Sequence, residues 1–247
     1  KVTEEFMNVN QIVRIIPTLK VNNRKLNETF YIETLGMKAL LEESAFLSLG
    51  DQTGLEKLVL EEAPSMRTRK VEGRKKLARL IIKVENPLEV EGLLSKTDSI
   101  HQLYKGQNGY AFEIFSPEND LILIHAEDDR ASLVEVEEKP EFQTGLESIS
   151  LSKFEISMEL HLPTDVDSFL KPSEVGTSLG FIPAQGQDLT VDNTVTWDLS
   201  MLKFLVNELD IASLRKRFES TEYFIPKSEK FFLGKDRNNV ELWFEEV

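Results

Sequence analysis

The sequence predicts an α+β fold made of tandem β-α-β-β-β modules. Alternating strand patterns are interleaved with short helical patterns, and the same order of patterns occurs twice within residues 12–127. A related pattern restarts after the charged stretch at residues 128–148. We therefore predict two half-open barrels, one in each half of the chain, with the C-terminal half degenerate.

The first module begins with a strand at residues 14–21, where Ile15 and Leu19 share one face of the alternation. Apolar residues at helical spacing predict a helix over residues 25–34. Gly36 ends this helix, because glycine adopts the left-handed cap conformation without the penalty of a Cβ atom. Three strand-like runs complete the module, at residues 37–42, 45–49 and 57–61.

The second module repeats this order from Leu77 onward. Leu80 and Ile82 alternate with residues of the other face and predict a strand. Asn86 and Pro87 then open a helix, since proline at the first helical position loses no hydrogen bond. The three following strands are predicted at residues 100–104, 110–115 and 121–125.

The stretch at residues 128–148 is charged and interrupted by proline and glycine, which is typical of a linker. We therefore divide the chain into an N-terminal domain of two modules at residues 8–130, a linker at 131–148 and a C-terminal domain at 149–247. The C-terminal domain is predicted to contain one abbreviated and one full module.

The third module is the abbreviated one. Alternation from Phe154 predicts its first strand, and Pro163 is expected to open a helix that continues to residue 175. Gly180, between Leu179 and Phe181, is expected to end this helix as Gly36 ends the first. The fourth module is predicted to have a helix at residues 210–219 and strands at 197–206, 222–225, 230–234 and 240–244.

Composition excludes several classes of function. The chain of 247 residues has 29 Lys and Arg against 43 Asp and Glu, a net charge of −14. This charge argues against nucleic acid or an anionic membrane surface as a partner. With no cysteine there is no disulfide, thiolate metal site or cysteine nucleophile. No signal peptide or membrane span is recognisable, so the sequence by itself predicts a cytoplasmic protein.

Several motifs resemble known families. The repeated modules and the helix exit at Leu35, Gly36 and Met37 resemble the glyoxalase/bleomycin-resistance class, the vicinal oxygen chelate superfamily. The segments at residues 60–69, 105–110 and 240–244 resemble the streptococcal CppA family. That family carries the label C3-degrading proteinase, so the resemblance implies complement C3 as a partner and exposure at the cell surface or outside the cell.

The superfamily resemblance also implies positions for metal ligands, typically a His on the first strand and a Glu on the last strand of each module. Matched strand to strand, the His positions fall on non-ligands, and only two of the matched Glu positions hold a carboxylate. The matched residues are Ile16, Arg79 and Ser157 for His, and Glu61, Leu123 and Glu241 for Glu. A complete site needs three or four ligands, so we expect no metal or other cofactor.

One alternative metal site stays open in the C-terminal half. Glu155, Glu159 and His161 share one strand face, and Glu241 is expected to be able to face them. A solvated acidic strand face is the other interpretation of the same pattern.

The sequence offers weak candidates for catalysis. Ser178 stands in a Gly-x-Ser-x-Gly motif, with His161 and His125 as candidate bases. However, Ser178 follows a predicted helix and precedes a strand, which is the reverse of a nucleophile elbow. His125 precedes three carboxylates, which favour the charged imidazolium. Two interpretations of His125 stay open: it binds a metal or transfers a proton, or it is a strand-end histidine in a salt-bridged rim of the sheet.

The connector between the first two modules is strongly basic. It contains six cations within eleven positions: Arg67, Arg69, Lys70, Arg74, Lys75 and Lys76. It either binds a small anionic ligand or an acidic partner, or pairs with the protein's own carboxylates. The candidate binding residues are Arg14, Glu61, Arg67, Arg69, Arg74 and Arg79.

Three functions therefore remain open at this point. The first is the family label, proteolysis of complement C3, for which no protease motif is recognisable. The second is metal-independent binding of a small anionic or aromatic molecule on a concave sheet face. The third is a protein-interaction module selected by charge. Whether the chain is an enzyme is left open by its residues.

Overall fold

The computed structural model describes residues 10–142, 149–170, 175–176 and 178–247. Within these residues the strands form two mixed sheets of seven strands each. The strands are β1 Ile12–Val21, β2 Lys38–Glu43, β3 Phe46–Gly50, β4 Glu56–Glu62, β5 Leu77–Val84, β6 Gln102–Lys105, β7 Tyr110–Phe115, β8 Leu121–His125, β9 Val134–Val136, β10 Phe154–Pro163, β11 Leu179–Ala184, β12 Leu199–Val206, β13 Phe231–Lys235 and β14 Glu241–Glu246.

Three α-helices of the described part begin at polar caps. Helix α1 spans Arg24–Thr29 and continues as a π-helical turn over Phe30–Thr34, and α2 spans Pro87–Lys96. Helix α3 spans Ile211–Arg217. Each is preceded by a side chain that accepts a hydrogen bond from a first-turn N–H, which satisfies a donor the helix leaves free. These capping residues are Asn23, Asn86 and Asp210.

Each sheet combines modules from both halves of the chain. The first sheet has the order β13-β14-β12-β1-β4-β3-β2, and the second has the order β11-β10-β5-β8-β7-β6-β9. The first strands pair antiparallel across the halves, β1 with β12 and β5 with β10. We expected one barrel per half, and this expectation was wrong. All four first strands share the same alternation, so the pattern does not encode which of them pair. The domain boundaries themselves stay a prediction.

Three of the modules have a last strand parallel to their first strand. These neighbours are β1 with β4, β5 with β8, and β12 with β14. In the described residues of the third module, β10 has β11 as its only parallel neighbour. The expected abbreviation of the third module is therefore present in the structure.

Four local expectations need correction. The strand expected at residues 222–225 is present only as an isolated bridge between Phe224 and Leu233. The start of the expected linker forms β9, which pairs with β6, while residues 143–148 of that linker lie outside the described residues. Of the helix predicted from Pro163 up to residue 175, Pro163 is the last residue of β10, and residues 164–170 form a turn, a bend and irregular backbone. The backbone N–H of Phe169 and the hydroxyl of Ser168 donate to Asp236 instead of supporting a helical turn. Residues 171–174 of this helix lie outside the description.

Gly180 does not end a helix as Gly36 does. Gly36 has a φ of 72°, in the left-handed region that favours glycine. Gly180 lies within β11 and pairs with Glu159 of β10, whereas Gly176 has the positive φ, of 56°, in this segment. An apolar-Gly-apolar triplet fits a strand as well as a helix exit, which is why the local likeness was misleading.

One hydrophobic cluster joins the two sheets and the helices. It contains Leu19 and Phe244 from the first sheet, Ile82 and Met158 from the second, and Leu93 from α2. Because side chains alternate along a strand, the neighbours of these residues face away from the cluster. No helix among the described residues is both long and apolar enough to cross a membrane.

Candidate functional site

The face of the first sheet opposite the core encloses a cavity of about 500 Å³. We call this face the first cup. Its residues alternate with core residues along β1, β4, β12 and β14. The cavity is lined by Ile16, Thr18, Leu41, Glu43, Ser44, Phe46, Ser48, Glu56, Val59, Met201, Lys203 and Trp243.

The lining shows that the first sheet is strongly curled. Leu41 lies on β2 and Trp243 on β14, five strand spacings apart in the sheet order. In a flat sheet this separation is about 24 Å, at about 4.8 Å per strand. A cavity of this size is only about 10 Å across, so both residues can line it only if the sheet curves around it. The predicted half-open barrel accounts for this shape.

An aromatic pair forms one wall of the first cup. The ring of Trp243 stacks on the ring of Phe231, with centroids 3.8 Å apart and an interplanar angle of 14°. The indole Nε1 donates to Glu245 at 2.7 Å, which fixes the ring orientation. Phe46 contributes a second aromatic side chain, 46% exposed, to the lining. These rings supply a rigid apolar surface.

The polar groups of the cavity meet at Glu56. Its carboxylate accepts a hydrogen bond from Ser48 Oγ at 2.6 Å and lies 3.5 Å from Lys203 Nζ. The Lys203 ammonium also lies 5.9 Å from the centroid of the Trp243 ring. The cavity therefore has an apolar body and one charged, hydrogen-bonding corner.

The strand register corrects the expected metal positions in this cup. Glu61 of β4 lies beside Lys20 of β1, and Glu241 of β14 lies beside Met201 of β12. The first-strand residue next to Glu61 is thus Lys20 and not Ile16. Because the first and fourth modules share a sheet, both last-strand carboxylates belong to the same cup.

These residues do not fit a divalent metal. Lys20 Nζ lies 3.5 Å from Glu61 Oε1, and ammonium and thioether groups are poor ligands for hard cations. Burial raises the pKa of Glu241, while the charges of Lys235 and Lys20 oppose this rise. Across the described residues there is no group of three or more His, Asp or Glu side chains arranged to hold a metal ion.

The open face of the second sheet is closed by an ionic network. The guanidinium of Arg79 forms two hydrogen bonds with Glu159, at 2.9 and 3.1 Å, and one with Glu113 at 2.8 Å. Tyr104 donates to Glu113 at 3.2 Å, and Arg130 lies 3.5 Å from Glu159. Arg79 is therefore already bound by two carboxylates of the protein.

The alternative metal residues of the C-terminal half do not come together. Glu241 belongs to the first sheet, whereas the three others lie on β10 of the second sheet. Glu155 pairs with Lys57 at 3.2 Å, and Glu159 is held by Arg79. His161 Nδ1 donates to the backbone carbonyl of Lys75 at 2.7 Å.

His125 is neutral and buried. Its Nδ1 accepts a hydrogen bond from the backbone N–H of Glu127 at 3.0 Å, so the neutral ring carries its proton on Nε2. Burial, followed by the charges of Arg130 and Lys83, lowers its pKa to about 4. The expectation that its charged form is favoured was therefore wrong.

Ser178 and His125 line the same surface hollow of about 500 Å³, together with Ser157, Lys83 and Arg130. The backbone carbonyl of Ser178 accepts from Met158 N–H at 2.9 Å, and the serine immediately precedes β11. The structure thus brings the candidate serine near one of its two candidate bases. His161, the other base, is held by the connector.

The basic connector is largely engaged with the protein itself. Arg69 binds Asp188 through two nitrogens, at 2.6 and 2.8 Å, and Lys75 lies 2.7 Å from Asp120. Lys76 is buried, and its Nζ donates to the carbonyl of Val191 at 2.6 Å. Burial lowers its pKa to about 8. These contacts favour the interpretation of a connector paired with its own protein.

The remaining candidate cations occupy different places. Arg67 and Arg74 are exposed. Arg14 lies on the first-cup face of β1, and its Nε is buried with no hydrogen-bond partner in the described part of the chain. The sequence-based search missed Lys20, Glu56 and Lys203. One feature of the sequence could have identified them: the strand alternation places these three charged residues at positions on the concave face of the sheet.

Comparison with known proteins agrees with this architecture. The family model for the CppA N-terminal region matches residues 14–136, and the model for the CppA C-terminal region matches residues 151–244. The crystal structure of the cppA protein from Streptococcus pneumoniae TIGR4 is 91% identical, covers 97% of this chain and 100% of that chain, and superposes with a TM-score of 0.95. Among curated proteins, none matches the chain significantly.

A more distant structure shows the same fold class. Glyoxalase I from Zea mays is 11% identical, covers 94% of this chain and 92% of that chain, and has a TM-score of 0.53. At this identity the likeness concerns the fold alone. The fold is thus α+β and similar to that of the glyoxalases, as the resemblance implied. Since the two matching models together span most of the sequence, the chain belongs to the CppA family.

Proposed function

We propose that the chain binds a small molecule in the first cup without a metal ion. The observation that carries this proposal is the cavity of about 500 Å³, which is lined by apolar and aromatic side chains around the Glu56–Lys203 pair. Ligand sites of proteins are usually concave and mostly apolar, with a few polar groups that orient the ligand, and span about 300–1,000 Å³.

The lining suggests the chemical class of the ligand. A flat apolar body fits against Trp243 and Phe46, since aromatic surfaces stack favourably on such rings. A polar group at the opposite end is expected to reach Lys203 and Glu56, where it accepts from the ammonium and donates to the carboxylate. An aromatic molecule with a substituent that both accepts and donates hydrogen bonds meets both requirements, and an anionic substituent meets the first of them through Lys203.

Two fluorescent probes test this proposal. 8-Anilinonaphthalene-1-sulfonate carries a charge, and N-phenyl-1-naphthylamine is its neutral analogue. We expect both to bind the folded chain at one site, and Met201→Trp, which fills the cavity, to weaken both by at least about tenfold, or about 1.4 kcal/mol. Lys203→Met is expected to weaken the sulfonate selectively. Fluorescence titration measures all of these affinities.

The matched control is Leu88→Trp, which adds the same ring at an exposed position of α2. It is expected to leave both affinities unchanged. Binding that does not saturate at one probe per chain, or that is insensitive to Met201→Trp in a variant that keeps the wild-type circular dichroism spectrum, contradicts the proposal.

Proteolysis of complement C3, which the family label suggests, is the second candidate function. The observation in its favour is that Ser178 and His125 line one hollow. His125 can act as the base only if one of its ring nitrogens has a free lone pair to accept the serine proton. His125 can provide one only if its Nδ1 releases the N–H of Glu127.

Incubation of the chain with an equimolar amount of C3 tests this second function. If the serine carries the reaction, cleavage is expected for the wild type and lost in Ser178→Ala, with Ser157→Ala as the control on the same hollow. If C3 stays intact after incubation with the wild type, the proteolytic function is rejected. Cleavage that persists in Ser178→Ala and in a chelator rejects both the serine mechanism and a metal mechanism.

A further inference from the structure

We propose that the ammonium of Lys20 is the resident cation of the first cup, occupying the place beside the last-strand carboxylates where a metal-dependent relative of this fold would hold a metal ion. The inference does not depend on what occupies the apolar cavity. It assigns to Lys20 the role of balancing Glu61 and Glu241 and of excluding divalent cations from them.

The strand arrangement brings the three groups together. Glu61 and Lys20 are register partners on the parallel strands β4 and β1. Glu241 lies on β14, and its neighbour Met201 is in turn the register partner of Thr18, two residues from Lys20 on the same face of β1. The two carboxylates therefore flank β1 from opposite sides.

Burial makes the balancing charge necessary. Lys20 is only 8% exposed, and its ammonium lies 3.5 Å from the half-buried Glu61 carboxylate. A buried ammonium is costly unless it is paired with an opposite charge. The pairing is mutual, because without Lys20 the two carboxylates would face each other in a partly dry environment. Charges felt by Glu241 include Glu61, Lys20 and Lys235, and Asn193 donates to it.

The cation end of the cup is also covered by protein. Trp197 Nε1 donates to the carbonyl of Ala63 and to Thr68 Oγ1, both at 2.8 Å, immediately after β4. Asn193 Nδ2 donates to the carbonyl of Ser200 at 3.0 Å. The segment between β11 and β12 thus lies over this end, and Lys20 is not among the residues that line the cavity. Lys20 is a built-in group and not part of the ligand-facing surface.

Substitution of Lys20 by histidine tests the role directly. The introduced imidazole and the two carboxylates provide three ligands, the number that open zinc sites use. We expect Lys20→His to bind one Zn²⁺ per chain at least about 10- to 100-fold more tightly than the wild type, the range that changes around a metal site produce. Calorimetric titration with ZnCl₂ measures the affinity, and Zn²⁺ is expected to raise the melting temperature of the variant.

Two kinds of control accompany this variant. Lys203→His places the same imidazole in the same cup beside Glu56 instead of the Glu61–Glu241 pair, and is expected to show no comparable gain. Lys20→His combined with Glu61→Gln, or with Glu241→Gln, is expected to lose the gain. The proposal is overturned if the wild type binds Zn²⁺ at one site and Glu61→Gln abolishes this binding. It is also overturned if Lys20→His folds but binds Zn²⁺ no more tightly than the wild type.

If Lys20→His does not fold, the variant Lys20→Met tests the proposed charge-balancing role of Lys20. Lys20→Met removes the balancing charge. Burial raises the pKa of Glu241 and the charge of Lys20 opposes this rise, so the pKa of Glu241 is expected to rise further in the variant. A raised folded-state pKa means that stability is present at low pH and is lost as the pH increases. The stability of Lys20→Met relative to the wild type is therefore expected to fall between about pH 4 and about pH 8. A difference independent of pH overturns the proposal.

Discussion

Replacing Arg79 by methionine is expected to lower the free energy of unfolding by about 3 kcal/mol, because the change strands a buried carboxylate. The Glu113 side chain is only 8% exposed and depends on Arg79 and Tyr104 for its hydrogen bonds. Glu159 also loses its two-point contact with the guanidinium. Urea denaturation of the wild type and Arg79→Met measures the loss.

The matched control removes the charges together with the cation. Arg79→Met combined with Glu113→Gln and Glu159→Gln leaves no unpaired buried charge and is expected to recover most of the stability. If stability is recovered, the loss in Arg79→Met comes from the unpaired carboxylates and not from lost packing around the aliphatic part of the arginine side chain. A loss below about 1 kcal/mol for Arg79→Met, within the range of exposed ion pairs, contradicts this account.

The stability of the wild type is expected to fall by about 3 kcal/mol through His125 alone as the pH decreases. Its pKa is lowered from the ordinary value of 6.5 to about 4, and each unit corresponds to about 1.4 kcal/mol. A lowered folded-state pKa stabilises the fold above the unfolded-state pKa of about 6.5, and this contribution is lost as the pH falls toward about 4. The substitution His125→Gln removes this pH-dependent contribution to stability.

Urea denaturation at about pH 7 and about pH 4.5 tests this window. His125→Gln is expected to show a smaller loss of stability between the two conditions than the wild type. His101→Gln, at an exposed position, is the control and is expected to behave as the wild type does. Equal losses in the wild type and in His125→Gln would mean that folding does not lower the pKa of His125, against the structure.

The order of elements could be predicted because its determinants are local. Alternation along Ile12–Val21 and the caps Asn23 and Asn86 act within a few residues, and the observed elements follow them. The pairing of β1 with β12 joins residues at the two ends of the chain. No local pattern specifies this choice, since the first strands look alike, and it decides which residues meet in a cup.

The site was harder to predict than the fold. A shift of four residues along β1 separates Ile16 from Lys20, and only the register with β4 identifies the correct neighbour of Glu61. His125 shows a second limit, because the carboxylates that follow it have other partners. Glu127 accepts from the backbone N–H of Asn108, and Asp128 pairs with Lys83.

Anomalous diffraction tests the central claim, a first cup that works without a metal, most directly. Crystals of the wild type soaked in Zn²⁺ are measured at the zinc absorption edge. We predict no anomalous peak between Glu61 and Glu241, with the Lys20 ammonium in contact with Glu61. A well-coordinated ion between the two carboxylates, with the lysine side chain displaced, would contradict the account.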